Sequence, residues 1–304
     1  MTQATPQGRT PGADMAAELA SQPETWELAA DLVRAGGAAP AVGQRVAVIG
    51  CGTSWFMAQS YAAARESSGQ GETDAFAASE AFVGRGYDAV VAITRSGTTT
   101  EVLELVERLR GKVRMLGVVG DQRSPFVELV DDVVALPFAD ERSVVQTRFA
   151  TTALAYLRAT LGHDLAPAAA DARAVLAEPL ADVLVDAEQH TFLGRGWTVG
   201  LAHEAALKMR ESAQSWTESY PAKEYRHGPI AIAAPGRVTW ALGEMPAGID
   251  HDTRATGAHF EQSTVDPLAE LVRVHAVALE RARRRGLDPD APRNLTRSVV
   301  LEDS

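Results

Sequence analysis

The chain has 304 residues, 46% of them hydrophobic, enough to bury a substantial core in one large domain or two smaller ones. Its formal charge of -11, from 29 basic and 40 acidic residues, argues against a nucleic-acid or acidic-membrane surface and makes any anion site a local one. The single cysteine, Cys51, excludes an internal disulfide, no Cys/His cluster has zinc spacing and no apolar run is long enough to span a bilayer. No metal and no cofactor are expected, and the expected location is the cytoplasm.

Residues 1–15 are polar and rich in proline and glycine, without the apolar core of a signal peptide. Residues 14–35 read as a helix interrupted near Pro23, and residues 36–43 as a hinge. Residues 45–49 predict a strand that ends in Gly50-Cys51-Gly52-Thr53-Ser54, with a helix over 55–66. The unit repeats as a strand over 89–93, a polar turn over 94–99, and a helix over 101–110 with Val102, Leu105, Val106 and Leu109 on one face. Strands over 113–119 and 132–136 follow, and this alternation predicts a parallel sheet with helices on both faces. Residues 165–189 read as an alanine-rich helical connector broken at Pro179. A second unit then runs from a strand over 191–193 through Gly194-Arg195-Gly196 to a helix over 199–213. A strand over 238–242, a terminal helix over 266–285 and a tail over 292–304 complete the chain.

The first turn joins a strand end to a helix start, where free backbone N–H groups and the helix dipole favour an anion. From this motif alone, a phosphate site and a tight structural turn both remain open. A dinucleotide fits less well, because Trp55 stands where the third glycine of G-x-G-x-x-G belongs, although Asp74 lies at about the distance of a ribose-binding acid. The second turn, Thr94-Arg95-Ser96-Gly97-Thr98-Thr99-Thr100, carries more hydroxyls than an N-cap explains, and the two turns together point to phosphate.

On the helix over 199–213, Glu204, Lys208 and Glu211 share one face, a pattern that more commonly makes a solvated salt-bridge ladder than an active site. Beyond it, His227 lies in a loop of mixed acids and bases between Pro221 and Pro229. A carboxylate, a lysine and a histidine so close in sequence are groups able to supply proton transfer at carbon and oxygen. His203-Glu204 lacks a second histidine at Leu207, so no metal site forms there, and Cys51 reads as a small packed residue rather than a nucleophile.

These residues resemble the sugar isomerase (SIS) domain family, in particular the double-SIS isomerase half of glucosamine-6-phosphate synthase and related amino-sugar-phosphate isomerases and deaminases. The likeness rests on Cys51-Gly52-Thr53-Ser54, Ala78-Ser79-Glu80, Ser96-Gly97 with Thr99, and Thr147 with Thr151-Thr152. It continues through residues 192–196, Ala206-Leu207-Lys208 with Glu211, His227-Gly228-Pro229 and Pro292-Arg293-Asn294-Leu295, covering nearly the whole chain. It implies an α/β fold of two SIS-type lobes, each a flavodoxin-like three-layer unit whose parallel sheet is flanked by helices. The first lobe is expected over 44–162, a helical connector over 163–190 and a second lobe over 191–285. An N-terminal tail and helix (1–43) precede them, and a C-terminal tail (286–304) lies over the active site. The stretch after His227 is short for the family, so an abbreviated second lobe is expected.

The resemblance further implies that Thr53, Ser54, Thr94, Arg95, Ser96 and Thr99 surround the phosphate of a sugar phosphate, with Gly52 and Arg297 also at the substrate. Glu211 is implied as the catalytic base that shuttles a proton between C1 and C2, with Lys208 beside it. His227 is implied in ring opening, donated by the other subunit of a homodimer. Arg297 stands where the family has an imine-forming lysine, and a guanidinium stays protonated and is no nucleophile. With no glutaminase segment in the sequence, glutamine-dependent synthase chemistry is not expected. The expected reaction is enolisation of an amino-sugar 6-phosphate such as glucosamine 6-phosphate, ending in isomerisation and deamination. The alternatives are a dehydratase eliminating water from N-acetylglucosamine 6-phosphate, and a non-catalytic sugar-phosphate sensor.

Overall fold

Short apolar runs become the central strands, and the glycine turns after them start the helices. The computed structural model describes residues 10–301. The first nine residues of the polar start and the last three of the tail lie outside the described residues. The interrupted N-terminal helix is α1 (Ala13–Ala20) followed by α2 (Gln22–Arg34), and Pro23 sits in the first turn of α2, where a missing N–H costs nothing. The first lobe then runs β1 (Val46–Gly50), α3 (Thr53–Ser67), β2 (Thr73–Ala77), β3 (Ala89–Thr94), α4 (Thr100–Leu109), β4 (Arg114–Val119) and β5 (Asp132–Ala135). Its five strands are parallel in the order β2-β1-β3-β4-β5. Helices α5 (Arg148–Thr160), α6 (Ala166–Ala177) and α7 (Asp182–Val185) lead to the second lobe.

That lobe contains β6 (Gln189–Gly194), α8 (Thr198–Ala213), β7 (Thr217–Pro221), β8 (Arg237–Leu242), α9 (Ile249–Ala255), β9 (His259–Gln262) and α10 (Pro267–Arg284). Its four parallel strands are ordered β7-β6-β8-β9. The helical connector expected over 165–189 with a break at Pro179 consists of α6 and α7 on either side of that residue, and its last position, Gln189, already belongs to β6. Helix α6 is no bare spacer, since it packs on α2 and α10.

One apolar core runs through both lobes, from Trp26 and Val48 through Leu154 and Leu201 to Trp240 and Val274. The two units therefore do not pack separately. Arg158 of α5 adds a bidentate pair to Asp266, at 2.9 and 2.8 Å, and Asp266 also caps the first turn of α10. Between the lobes, α3 lies against α8. The approach is close at Gly200, where a Cβ would overlap the Phe56 carbonyl oxygen and the Ser60 side chain. Enlarging this residue separates the helices that position the site described below. Gly200→Val is expected to destabilise the protein by about 1–3 kcal/mol, and Gly200→Ala by less, in denaturant unfolding. Wild-type stability in the valine variant would contradict the close crossing.

Candidate active site

Strands β1 and β3 are neighbours in the parallel sheet, so the turns at their carboxyl ends lie side by side. After β1 the chain reverses through Gly52, whose φ of +53° suits glycine, and α3 begins at Thr53. After β3 it passes through Thr94, Arg95 and Ser96 to Thr99, the residue that precedes α4. Thr53, Ser54, Thr94 and Ser96 are buried, and Thr99 is half-buried. With Gly52 and Arg95 they line one cavity of about 200 Å³, which Lys208, Glu211 and the tail segment 295–299 also line. The structure therefore brings together every residue expected at the phosphate, two of the three expected at the proton, and Arg297. His227 is the exception. It is exposed on a short helical turn over 224–227 and does not line the cavity.

The hydroxyl turns are braced internally. The Thr94 hydroxyl accepts from the Gly97 N–H at 3.2 Å, and the Ser96 hydroxyl accepts from the Thr98 N–H at 3.2 Å. Arg95 is only 6% exposed, and its guanidinium faces backbone. Nη1 donates to the carbonyls of Ser143 and Val144, at 3.1 and 3.2 Å, and Nη2 donates to the Arg297 carbonyl at 2.6 Å. Burial lowers its pKa, and the nearby Glu141 carboxylate, 3.9 Å away, opposes that shift. Arg297 points to the same loop, donating to the Glu141 carbonyl and pairing with Asp140 at 2.5 Å. Both arginines thus join the tail to the first lobe.

The helix ladder is not solvated. Glu204 and Lys208 are completely buried and the Glu211 side chain is 21% exposed. Lys208 Nζ donates to Glu211 Oε2 and lies 3.6 Å from Glu204 Oε1. Burial raises Glu204 to about 8 against the pull of the Lys208 ammonium. Burial acts to lower Lys208, but the adjacent Glu204 and Glu211 outweigh it and hold the amine above its ordinary value. His275 of α10, also buried, comes within 3.8 Å of Glu204 and is pushed well below its ordinary value by burial and by Lys208. No sequence signal marked His275, since it sits within the apolar face of its helix. Gln146, whose buried Nε2 has no partner among the described residues, and Ser298 also line the cavity unanticipated.

Asp74 lies near the start of β2, opposite Ala47, and accepts from the Tyr87 hydroxyl, so it is far from the turn a ribose-binding acid would serve. Cys51 is half-buried, and burial raises its thiol above the ordinary value, as suits a packed residue. Among the described residues no group of three His, Cys, Asp or Glu side chains is placed to hold a metal ion, and no helix is long and apolar enough to cross a membrane.

The native Glu204 carboxyl keeps a proton that the unfolded chain, titrating near 4.5, releases, so its contribution to stability falls as pH rises from about 4.5 to about 8. Below 6.5 the buried neutral His275 acts with the opposite sign, because the unfolded imidazole gains a proton there. The unfolded imidazole is half protonated at pH 6.5, so this opposing effect fades over about the next pH unit, where the carboxyl effect continues, joined up to about 7 by Glu18, which burial and Glu141 raise. Denaturant unfolding is expected to show lower stability at pH 8 than at about 6.5, with a shallower slope in Glu204→Gln. An identical slope in the variant would contradict a protonated Glu204.

No family model matches the chain. It is 29% identical over 264 residues to a glutamine–fructose-6-phosphate aminotransferase (isomerizing) of Pyrobaculum aerophilum, covering 71% of this chain and 44% of that protein. The protein of the same name from Aeropyrum pernix is 30% identical over 272 residues, with the same coverage of 71% and 44%. The chain thus spans less than half the length of these relatives. A glucosamine-6-phosphate deaminase structure from Thermotoga maritima superposes with a TM-score of 0.80 at 21% identity, covering 95% of this chain and 100% of that one. At that identity the structural likeness speaks for fold alone. The sequence similarity and the shared two-lobed fold are together consistent with the sugar isomerase (SIS) domain family.

Proposed function

We propose that the chain is an enzyme that isomerises an amino-sugar 6-phosphate such as glucosamine 6-phosphate by enolisation, with Glu211 as the base. One observation carries this reading: the hydroxyl-rich turns of the first lobe and the Glu211 carboxyl of the second face the same cavity. A phosphate on the hydroxyls of Thr53, Ser54, Ser96 and Thr99 fixes one end of an open-chain sugar. The carbonyl end then reaches Glu211. Removal of the C2 proton leaves its electron pair in a C1–C2 double bond, and the C1 oxygen takes up a proton. Return of a proton to C1 from Glu211 completes the isomerisation. With an amine at C2 the product is an imine, which water cleaves to ammonia and fructose 6-phosphate.

Lys208 orients Glu211 through their ion pair. Arg297, held on Asp140 and the Glu141 carbonyl, offers no amine for a covalent imine. The exposure of His227 in one chain fits its donation to a second subunit of a cytoplasmic homodimer. Four strands against five in the two sheets fit an abbreviated second lobe over 191–285, joined by the connector at 163–190 to the first at 44–162.

Proton NMR in D2O with the 6-phosphates of glucose, fructose, glucosamine and N-acetylglucosamine tests the reaction. Exchange at C2 is expected with at least one of them, with ammonia release from glucosamine 6-phosphate. Glu211→Gln should reduce exchange by at least about 100-fold and retain binding. An active glutamine variant removes Glu211 as the base, and binding without exchange favours a sensor. An unsaturated, ultraviolet-absorbing product from the N-acetyl sugar identifies a dehydratase instead.

A further inference from the structure

One side chain of the C-terminal tail, Ser298, bonds two hydroxyls of the second turn. Ser298 Oγ accepts from the Ser96 hydroxyl at 3.2 Å and from the Thr98 hydroxyl at 3.0 Å. Ser96 Oγ in turn accepts from the Thr98 N–H. The donors therefore run in one direction, from the Thr98 amide through the Ser96 hydroxyl to Ser298. With both incoming bonds on its oxygen, Ser298 keeps its own O–H to donate, and it lines the cavity. Hydrogen bonds in series polarise one another, so the last hydroxyl is a better donor to an anion than an isolated serine.

The segment around Ser298 is fixed on both sides. Before it, Arg95 holds the Arg297 carbonyl and Asp140 holds the Arg297 guanidinium. After it, the Thr100 N–H donates to the Val299 carbonyl at 3.2 Å, and the Leu301 N–H donates to the Thr100 hydroxyl at 2.9 Å. These bonds attach the tail to the first turn of α4. The Val299 carbonyl occupies a helix N-terminal N–H that would otherwise be available to an anion. The tail covers one donor of the subsite and supplies another.

We propose that Ser298 is a phosphate-binding residue, the terminal donor of a hydroxyl relay that the tail adds to the turn after β3. Arg95 then acts as a positioning residue, seating the tail through the Arg297 carbonyl. The inference rests on the phosphosugar reading above and assigns part of its anion subsite to the tail.

Calorimetric titration of the full chain with fructose 6-phosphate, inorganic phosphate and unphosphorylated fructose tests it. Ser298→Ala is expected to weaken binding of fructose 6-phosphate and of inorganic phosphate by about tenfold or more, because the lost bond is to a charged acceptor. Binding of fructose should be unchanged, and Ser298→Thr, which keeps the hydroxyl, should recover most of the affinity. Hydrogen exchange at the Leu301 amide reports whether the tail remains seated, and its protection should be the same in Ser298→Ala as in wild type. Wild-type phosphate affinity in the alanine variant overturns the assignment. So does an affinity loss accompanied by loss of Leu301 protection, which marks Ser298 as a tail anchor only. Wild-type protein that binds fructose 6-phosphate no better than fructose sinks the phosphosugar reading itself, an outcome visible before any variant is made.

Discussion

Lys208 is an amine with no exposed surface, and a charged amine persists inside a protein only where carboxyl groups and excellent geometry answer it. Glu211 accepts its hydrogen bond from one turn further along α8, and Glu204 lies 3.6 Å away from one turn before. That arrangement requires α8 to be sealed from water along this face. The seal comes from α3, which approaches α8 closely at Gly200, and from α10, which brings His275 against Glu204. The same contact sets the N-terminus of α3, with Thr53 and Ser54, across the cavity from Glu211. Burial of one amine and assembly of a two-lobed site are thus one packing problem.

A buried trio of this kind does little for net stability, since desolvation offsets most of its Coulombic gain. Its effect is on protonation. With Glu204 raised to about 8 by burial, Glu211 is the nearest counter-ion of Lys208 near neutrality. The ion pair restricts the direction in which the Glu211 carboxyl faces, and only Glu211 of the three reaches partial exposure at the cavity. In the proposed reaction the base would serve two adjacent carbons of one substrate, which such orientation favours.

Much of both sheets was legible from residues. Strands β1, β3, β6 and β8 are central and fully or nearly fully buried, so they read as apolar runs, and the turns after β1 and β3 announced themselves through glycine and hydroxyls. Strands β2, β7 and β9 were missed because they are edges with mixed polarity, such as Thr-Glu-Ser-Tyr-Pro in β7. Helix α5 was missed for the opposite reason: every residue from Phe149 to Arg158 is buried, which erases the amphipathic period. In the site, spacing put Glu204, Lys208 and Glu211 on one face but could not show that this face is dry. Nothing local to Ser298 or His275 records a partner 202 residues away for the one and on another helix for the other.

The most direct measurement is a crystal structure of the full chain with a hexitol 6-phosphate, an open-chain sugar phosphate that has no carbonyl to react. The phosphate should lie among the hydroxyls of Ser54, Ser96 and Thr99, with C1 and C2 of the chain within hydrogen-bonding reach of the Glu211 carboxyl. A phosphate bound elsewhere, or a ligand whose C1 and C2 face away from Glu211, would contradict a cavity built to hold one end of a sugar phosphate and move a proton at the other.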